Sequence, residues 1–224
     1  MAVERLILWD LDRTLLEAYG FGQAIMGQAF LRLYGVPAPD GVPTAGRTDK
    51  SILRDMLALL GRDESEQPRV QALVGELARE GVVDPVGVRA LPGAAAAVAA
   101  AAGPTVLQSV LTGNLEAIGR LKLSAVGARG LDLDVAAFGD DHTYRPDLVD
   151  VARERLASRY GASLEPDRIL IVGDTPLDVE AALVNGAVAV GVATGSYSTD
   201  DLRAAGAHVV LPDLTDPREL LAAL

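Results

Sequence analysis

Four aspartates stand in two close pairs, each directly after a short apolar run. Asp10 and Asp12 follow Leu6-Ile7-Leu8-Trp9 in WDLDRT, and Asp174 and Asp178 follow residues 169–172 in GDTPLD. Alternate residues of a strand point the same way, so Asp10 and Asp12 are expected to face one site with Leu11 between them. Two close carboxylates repel, and one keeps its proton unless a cation intervenes. Four carboxylates converging at strand ends call for a hard cation held by oxygen; Mg²⁺ accepts a few carboxylates and keeps waters. A lone aspartate at a strand end is ordinarily a turn or cap residue, but two pairs so placed argue against that reading. Between the pairs, Thr112-Gly113-Asn114 follows the apolar run 105–111. A hydroxyl, a glycine and the N-terminus of a following helix provide donors for an anion, although Gly-Asn is also an ordinary turn. Arg145, ahead of Pro146 in TYRPDL, offers a fixed cation just before a helix.

The elements that must position these residues are legible as well. Apolar runs at 6–9, 105–111, 135–138, 169–172, 188–192 and 209–211 predict strands, most of them buried on both faces. Helical patterns lie between them: residues 93–102 after Pro92, the stripe of Leu148, Val151, Ala152 and Leu156, and residues 176–185 closed by Gly186. Strands alternating with helices imply an α/β fold, a doubly wound Rossmann-like parallel sheet, whose ligands bind outside the carboxyl ends of the strands. Residues 17–88 break the alternation and read as helices only. Three apolar stripes carry that expectation: Ile25, Met26, Ala29, Phe30 and Leu33; Ile52, Leu53, Met56, Leu57 and Leu60; and Val70, Leu73, Val74 and Leu77. Thr48 or Asp49 is placed to cap the second helix. The expected organisation is a core of residues 1–16 and 89–224 with an inserted helical subdomain at 17–88.

The bulk composition removes several classes of function. The 224 residues have a net charge of −11, with 31 acidic and 20 basic residues. No Lys/Arg stripe follows a phosphate backbone, so a nucleic-acid partner is not expected. Without cysteine there are neither disulfides nor thiolate metal sites. The opening MAVERLILWDLD does not read as a signal peptide, and the longest apolar run, residues 94–102, is too short to span a membrane. A cytoplasmic protein, monomer or homodimer, is the expectation.

Taken together, the motifs resemble those of the haloacid dehalogenase (HAD) superfamily, over nearly the whole chain. DLDRT at 10–14 resembles its first signature, Thr112 its second, and GDTPLDV at 173–179 its final acidic signature, while Arg145 stands where the family has Lys or sometimes Arg. The resemblance implies a phosphoglycolate phosphatase-like hydrolase in which residues 17–88 form the cap. Asp10 would attack phosphorus and Asp12 would act as general acid and then base. Mg²⁺ would be held by the Asp10 carboxylate, the Asp12 backbone carbonyl and Asp174, with Asp178 acting through water or orienting the site. Thr112, Gly113, Asn114 and Arg145 would bind phosphoryl oxygens. The substrate implied is a small phosphate monoester, phosphoglycolate first and sugar phosphates next. Two departures stand out: Arg13 replaces the glycine usual after the second aspartate, and Arg145 replaces the commoner lysine.

Residues 41–48, GVPTAGRT, imitate a nucleotide P-loop, but Arg47 replaces its lysine, Pro43 lacks an amide, and no buried strand precedes it. Gly46-Arg47-Thr48-Asp49 instead resembles the loop by which related caps touch substrate, which would place Arg47 near an anionic substrate group; a helix-capping loop is the alternative. His142 and His208 lack metal-ligand spacing. Rival readings are a 2-haloacid dehalogenase, which would lack an acid/base like Asp12, a phosphosugar mutase, a receiver-type phospho-acceptor switch, and a non-catalytic binding protein.

Overall fold

The computed structural model describes residues 2–224. The chain enters through β1 (Arg5–Trp9) and leaves the central sheet by β2 (Leu16–Glu17). Three helices follow, α1 (Phe21–Tyr34), α2 (Asp49–Leu59) and α3 (Gln67–Glu80), before β3 (Arg89–Ala90) brings the chain back. β2 and β3 form an antiparallel ribbon, Leu16 opposite Ala90 and Glu17 opposite Arg89. The remainder alternates: α4 (Ala94–Ala100), β4 (Val106–Val110), α5 (Glu116–Ala125), α6 (Asp147–Tyr160), β5 (Ile169–Gly173), α7 (Pro176–Val184), β6 (Val188–Val192), α8 (Thr199–Ala204), β7 (Val209–Leu211) and α9 (Arg218–Ala222).

Five strands make one parallel sheet in the order β4-β1-β5-β6-β7. The continuous apolar runs have a direct cause: successive residues of β1 and β5 feed opposite cores. Ile7, Trp9, Leu170 and Val172 pack on one face, and Leu6, Leu8, Ile169 and Ile171 on the other. The first of these cores continues without a break into α1–α3 through Ile25, Phe30, Leu53 and Leu77. Trp9, fully buried, satisfies its indole N–H by donating to Gln108 Oε1 at 3.0 Å, and Gln108 Nε2 donates to the Val98 carbonyl at 2.8 Å.

One predicted strand is corrected. Residues 135–138 are buried and lie beside β4, but they pair with it only through a single bridge, Leu111 with Ala137. The Ala137 N–H donates to the Val110 carbonyl and its carbonyl accepts from Thr112 N–H. Turns on both sides leave no length for a ladder, so the segment caps the β4 edge without extending the sheet.

Candidate active site

Register brings the chemical residues to one level. Trp9 lies opposite Val110 in β4 and Val172 in β5. The residues just beyond, Asp10, Thr112 and Asp174, therefore emerge together where the chain order reverses on either side of β1, the place where open α/β sheets bind ligands. The Asp10 N–H still donates to the Val172 carbonyl at 2.8 Å, which fixes the backbone from which its carboxylate projects.

Arg145 is the hub. Its Nη2 donates to Asp10 Oδ1 at 2.7 Å and to Asp178 Oδ1 at 2.5 Å, and its Nη1 donates to the Gly46 carbonyl at 3.0 Å. Burial works against its charge, but Asp178 and Asp10 more than offset that, so its proton is held more tightly than usual. Asp178 Oδ2 accepts from the Thr175 N–H and hydroxyl in a capping box at the start of α7. Both Asp178 oxygens are thus engaged by the protein.

Oxygens of Asp10, Asp174 and Asp178 lie within 4.8 Å of one another, all three residues buried. Burial first, then the Asp178 charge, pushes the Asp10 carboxyl up to about 7. Burial, then Asp10 and Asp178, pushes Asp174 up to about 9. Three buried carboxylates facing one guanidinium need further positive charge or protons. The donor set is all oxygen, as a hard divalent cation requires. Gly195 is part of this cradle: a Cβ there would lie 1.7 Å from Asp174 Oδ2.

Asp12 lines the same cavity, of about 330 Å³, but faces other partners. Its Oδ2 accepts from Asn114 Nδ2 at 2.7 Å and from Lys122 Nζ at 2.6 Å. Asn114 Nδ2 also donates to Thr112 Oγ1 at 2.8 Å, and Asn114 Oδ1 accepts from Lys122 at 2.6 Å. The expected side-by-side pair of aspartates is therefore one cavity with two differently furnished walls: Asp10 against Arg145, Asp12 against Lys122. β1 ends at Trp9, and the turn that follows, not strand alternation, sets the Asp12 direction.

Gly113 marks where the helical segment meets the core. A Cβ there would fall 2.0 Å from the Arg47 carbonyl. The Asp49 N–H donates to the Gly113 carbonyl at 2.6 Å, and Asp49 Oδ2 accepts from the Leu115 N–H at 2.8 Å. Thr48 caps α2 by accepting from the Ser51 N–H, and its hydroxyl donates to the Thr143 carbonyl at 2.7 Å.

Of the two expectations for Arg47, the loop that caps α2 describes its surroundings. It borders the cavity, but its guanidinium donates to Asp55 at 2.6 Å and to the Ser51 and Pro43 carbonyls. A carboxylate on α2, eight residues further along the chain, satisfies it, so its backbone, not its charge, meets the core. Arg13 takes φ 63, a left-handed conformation that glycine adopts without steric cost.

At the site, Lys122 was not found from sequence, and Asp49 was named only as a cap or loop residue. Lys122 occupies the buried face of α5 with Ile118, Gly119 and Leu123, and Asp49 is a buried carboxylate at the first position of α2, its carboxyl pushed up to about 7 by burial against the opposing Leu115 bond. For Lys122 the signal is a lysine inside an apolar stripe, four residues after Ile118.

Comparison with known proteins bears on the fold. Residues 145–217 match the HAD-hydrolase-like family. No curated protein sequence matches the chain. Among solved structures, a hydrolase from Pseudomonas syringae is similar at 21% identity, covering 99% of both chains with a TM-score of 0.67. CbbY from Rhodobacter sphaeroides, in complex with phosphate, is 19% identical, covers 96% of both chains and has a TM-score of 0.67. A predicted phosphoglycolate phosphatase from Haemophilus somnus is 18% identical, covers 98% of this chain and 99% of its own, with a TM-score of 0.65. Residues 145–217 thus match the HAD-hydrolase-like family, and the chain as a whole shares the α/β fold of these solved structures.

Proposed function

We propose that the chain is a Mg²⁺-dependent phosphomonoester hydrolase acting on a small phosphorylated metabolite through an aspartyl-phosphate. The observation that carries this reading is the division of labour in one cavity. Asp10 sits in the buried acidic cluster beside Arg145, while Asp12 sits apart on the wall of Asn114 and Lys122. That is what a nucleophile and a separate acid/base require.

Asp10 attacks phosphorus as the bond to the leaving oxygen breaks, and Asp12 gives that oxygen its proton. Asp12 then takes a proton from the water that attacks the aspartyl-phosphate, releasing inorganic phosphate and free Asp10. Arg145 neutralises Asp10 and stands against the phosphoryl group. The Thr112 hydroxyl and the Gly113 amide are the donors best placed for phosphoryl oxygens, because the Asn114 side chain is engaged with Asp12 and Thr112. Asp10, Asp174 and the Asp12 carbonyl would hold Mg²⁺; Asp178, engaged by Arg145 and Thr175, would orient rather than ligate. When bound, Mg²⁺ supplies charge that offsets the carboxylates and draws electron density from the phosphoryl oxygens.

Residues 17–88 act as the cap. The β2–β3 ribbon is its hinge, and Phe21, Met26 and Ile52 close the cavity over the leaving group. A cavity of this size under a helical roof suits a phosphoglycolate-like ester or a sugar phosphate, not a polymer. The test is phosphate release from p-nitrophenyl phosphate and a panel of small phosphomonoesters. Release should require Mg²⁺, stop with EDTA and be absent in Asp10→Asn. Isomerisation of a sugar phosphate without release would replace this reading with a mutase; no turnover of any ester would end it.

A further inference from the structure

The chain has only two lysines, Lys50 and Lys122, within a set of 20 lysines and arginines. One of them is buried beside the cavity. The Lys122 side chain is 5% exposed, whereas that of its partner Asp12 is 39% exposed and open to the cavity. A lysine is almost never buried without a partner, and here the partners are Asp12 Oδ2 and Asn114 Oδ1, each at 2.6 Å. Asn114 adds a second bond to the same Asp12 oxygen. Both protein donors thus converge on Oδ2, and among the described residues none bonds Oδ1. The arrangement is closed from above by α1: a Cβ on Gly22 would lie 3.4 Å from Ile118 Cγ2 and 3.9 Å from Asn114 Oδ1. A compact ammonium fits between two oxygens on this short span where a planar guanidinium fork would not.

We propose that Lys122 is a positioning residue for the reaction: with Asn114 it holds Asp12 by Oδ2 so that Oδ1 faces the leaving oxygen of the substrate. This rests on the phosphatase reading above. A carboxylate held by one oxygen keeps a single rotamer, and a positioned acid contributes on the order of 10²–10⁴-fold to such a step. The lysine acts through Asp12 and does not touch the phosphoryl group.

The test compares two esters in wild type and Lys122→Met. p-Nitrophenol leaves readily without protonation, whereas the alkoxide of β-glycerophosphate does not. In Lys122→Met, kcat/KM, which reports formation of the aspartyl-phosphate and not its hydrolysis, should fall at least about 10²-fold for β-glycerophosphate and less than about tenfold for p-nitrophenyl phosphate. Lys122→Gln, which retains a donor, should lose less on the alkyl ester and serves if the Met variant does not fold. Equal losses of kcat/KM on both esters in an active enzyme, which would put Lys122 on the substrate's phosphoryl group, overturn this proposal and leave the phosphatase reading standing. A crystal structure of the variant with Asp12 unmoved and fully ordered also overturns it. A wild type inert toward both esters overturns the phosphatase reading and this proposal together.

Discussion

At the residue scale, the site is a problem of charge placed out of water. Asp10, Asp174 and Asp178 are buried with one arginine among them, so negative charge is in excess. Asp10→Asn removes one of the mutually repelling charges, so the variant is expected to fold and melt no lower than wild type while releasing no phosphate; turnover at more than about a hundredth of the wild-type rate would show that another group attacks. Arg13 offers a cleaner stability test. Its left-handed backbone costs roughly 1–2 kcal/mol, and glycine would return about 0.4–1 kcal/mol of that through the unfolded chain's greater freedom. Its side chain makes only a 3.9 Å approach to Glu17 from an exposed position. Arg13→Gly should therefore raise stability by up to about 1 kcal/mol in chemical denaturation, and a clear loss would mean that the arginine has partners beyond Glu17. The acidic pairs and Thr112 were legible because each stands next to a strand whose apolar run announces it, and Arg145 because it stands before Pro146 at the start of a helix. Lys122 was not, because its bond to Asp12 joins residues 110 positions apart; only folding of α5 against the end of β1 creates it.

At the element scale, runs of apolar residues foretold strands well where both faces are buried and failed where length was lacking. Residues 135–138 have the composition of a strand, yet turns confine them to one bridge at the β4 edge. The helices at 176–185 and 93–102 were foretold from Pro176, Gly186 and Pro92, since local chemistry sets their ends. How α2 docks was not legible, because it depends on backbone packed against backbone. Gly113 receives the Arg47 carbonyl, and Gly139 receives the Gly113 carbonyl, where added Cβ atoms would lie 2.0 and 1.8 Å from those oxygens. Gly113→Ala must push the 46–49 loop off the core and break the Asp49–Gly113 bond. The expected result is a protein whose central sheet persists by circular dichroism but whose 41–48 loop is cut faster by protease, with kcat/KM lowered at least about tenfold. Unchanged proteolysis in that variant would show that the close approach is not what seats the helical segment.

At the scale of the whole molecule, the site and the stability of the fold are linked through the protons of the buried carboxylates. Asp10 is pushed up to about 7 and Asp174 to about 9, from 3.8 in both cases, chiefly by burial. Without a metal the folded chain holds more protons than the unfolded chain across that interval. Its stability is accordingly greatest at low pH within the interval and falls as pH rises from about 4 through about 7 toward about 9. Asp49, also at about 7, adds to the fall but lies outside the carboxylate cluster. A cation in the cluster would favour the ionised carboxylates, so Mg²⁺ bound there would compete with protons and stabilise the folded state more as pH rises. A loss of about 2 kcal/mol in a chain of this length lowers the melting midpoint by roughly 4–8 °C. In EDTA the midpoint should therefore be several degrees lower at pH 8 than at pH 5.5, and saturating Mg²⁺ should raise it at pH 8 by clearly more than at pH 5.5. Asp49→Asn should flatten part of the decline without altering the response to Mg²⁺, because its carboxyl is bonded to Leu115 and not to the cluster. An equal Mg²⁺ response at both pH values would mean that the three aspartates do not bind the ion in competition with protons, and the cation would then have to sit elsewhere than at the ends of β1 and β5.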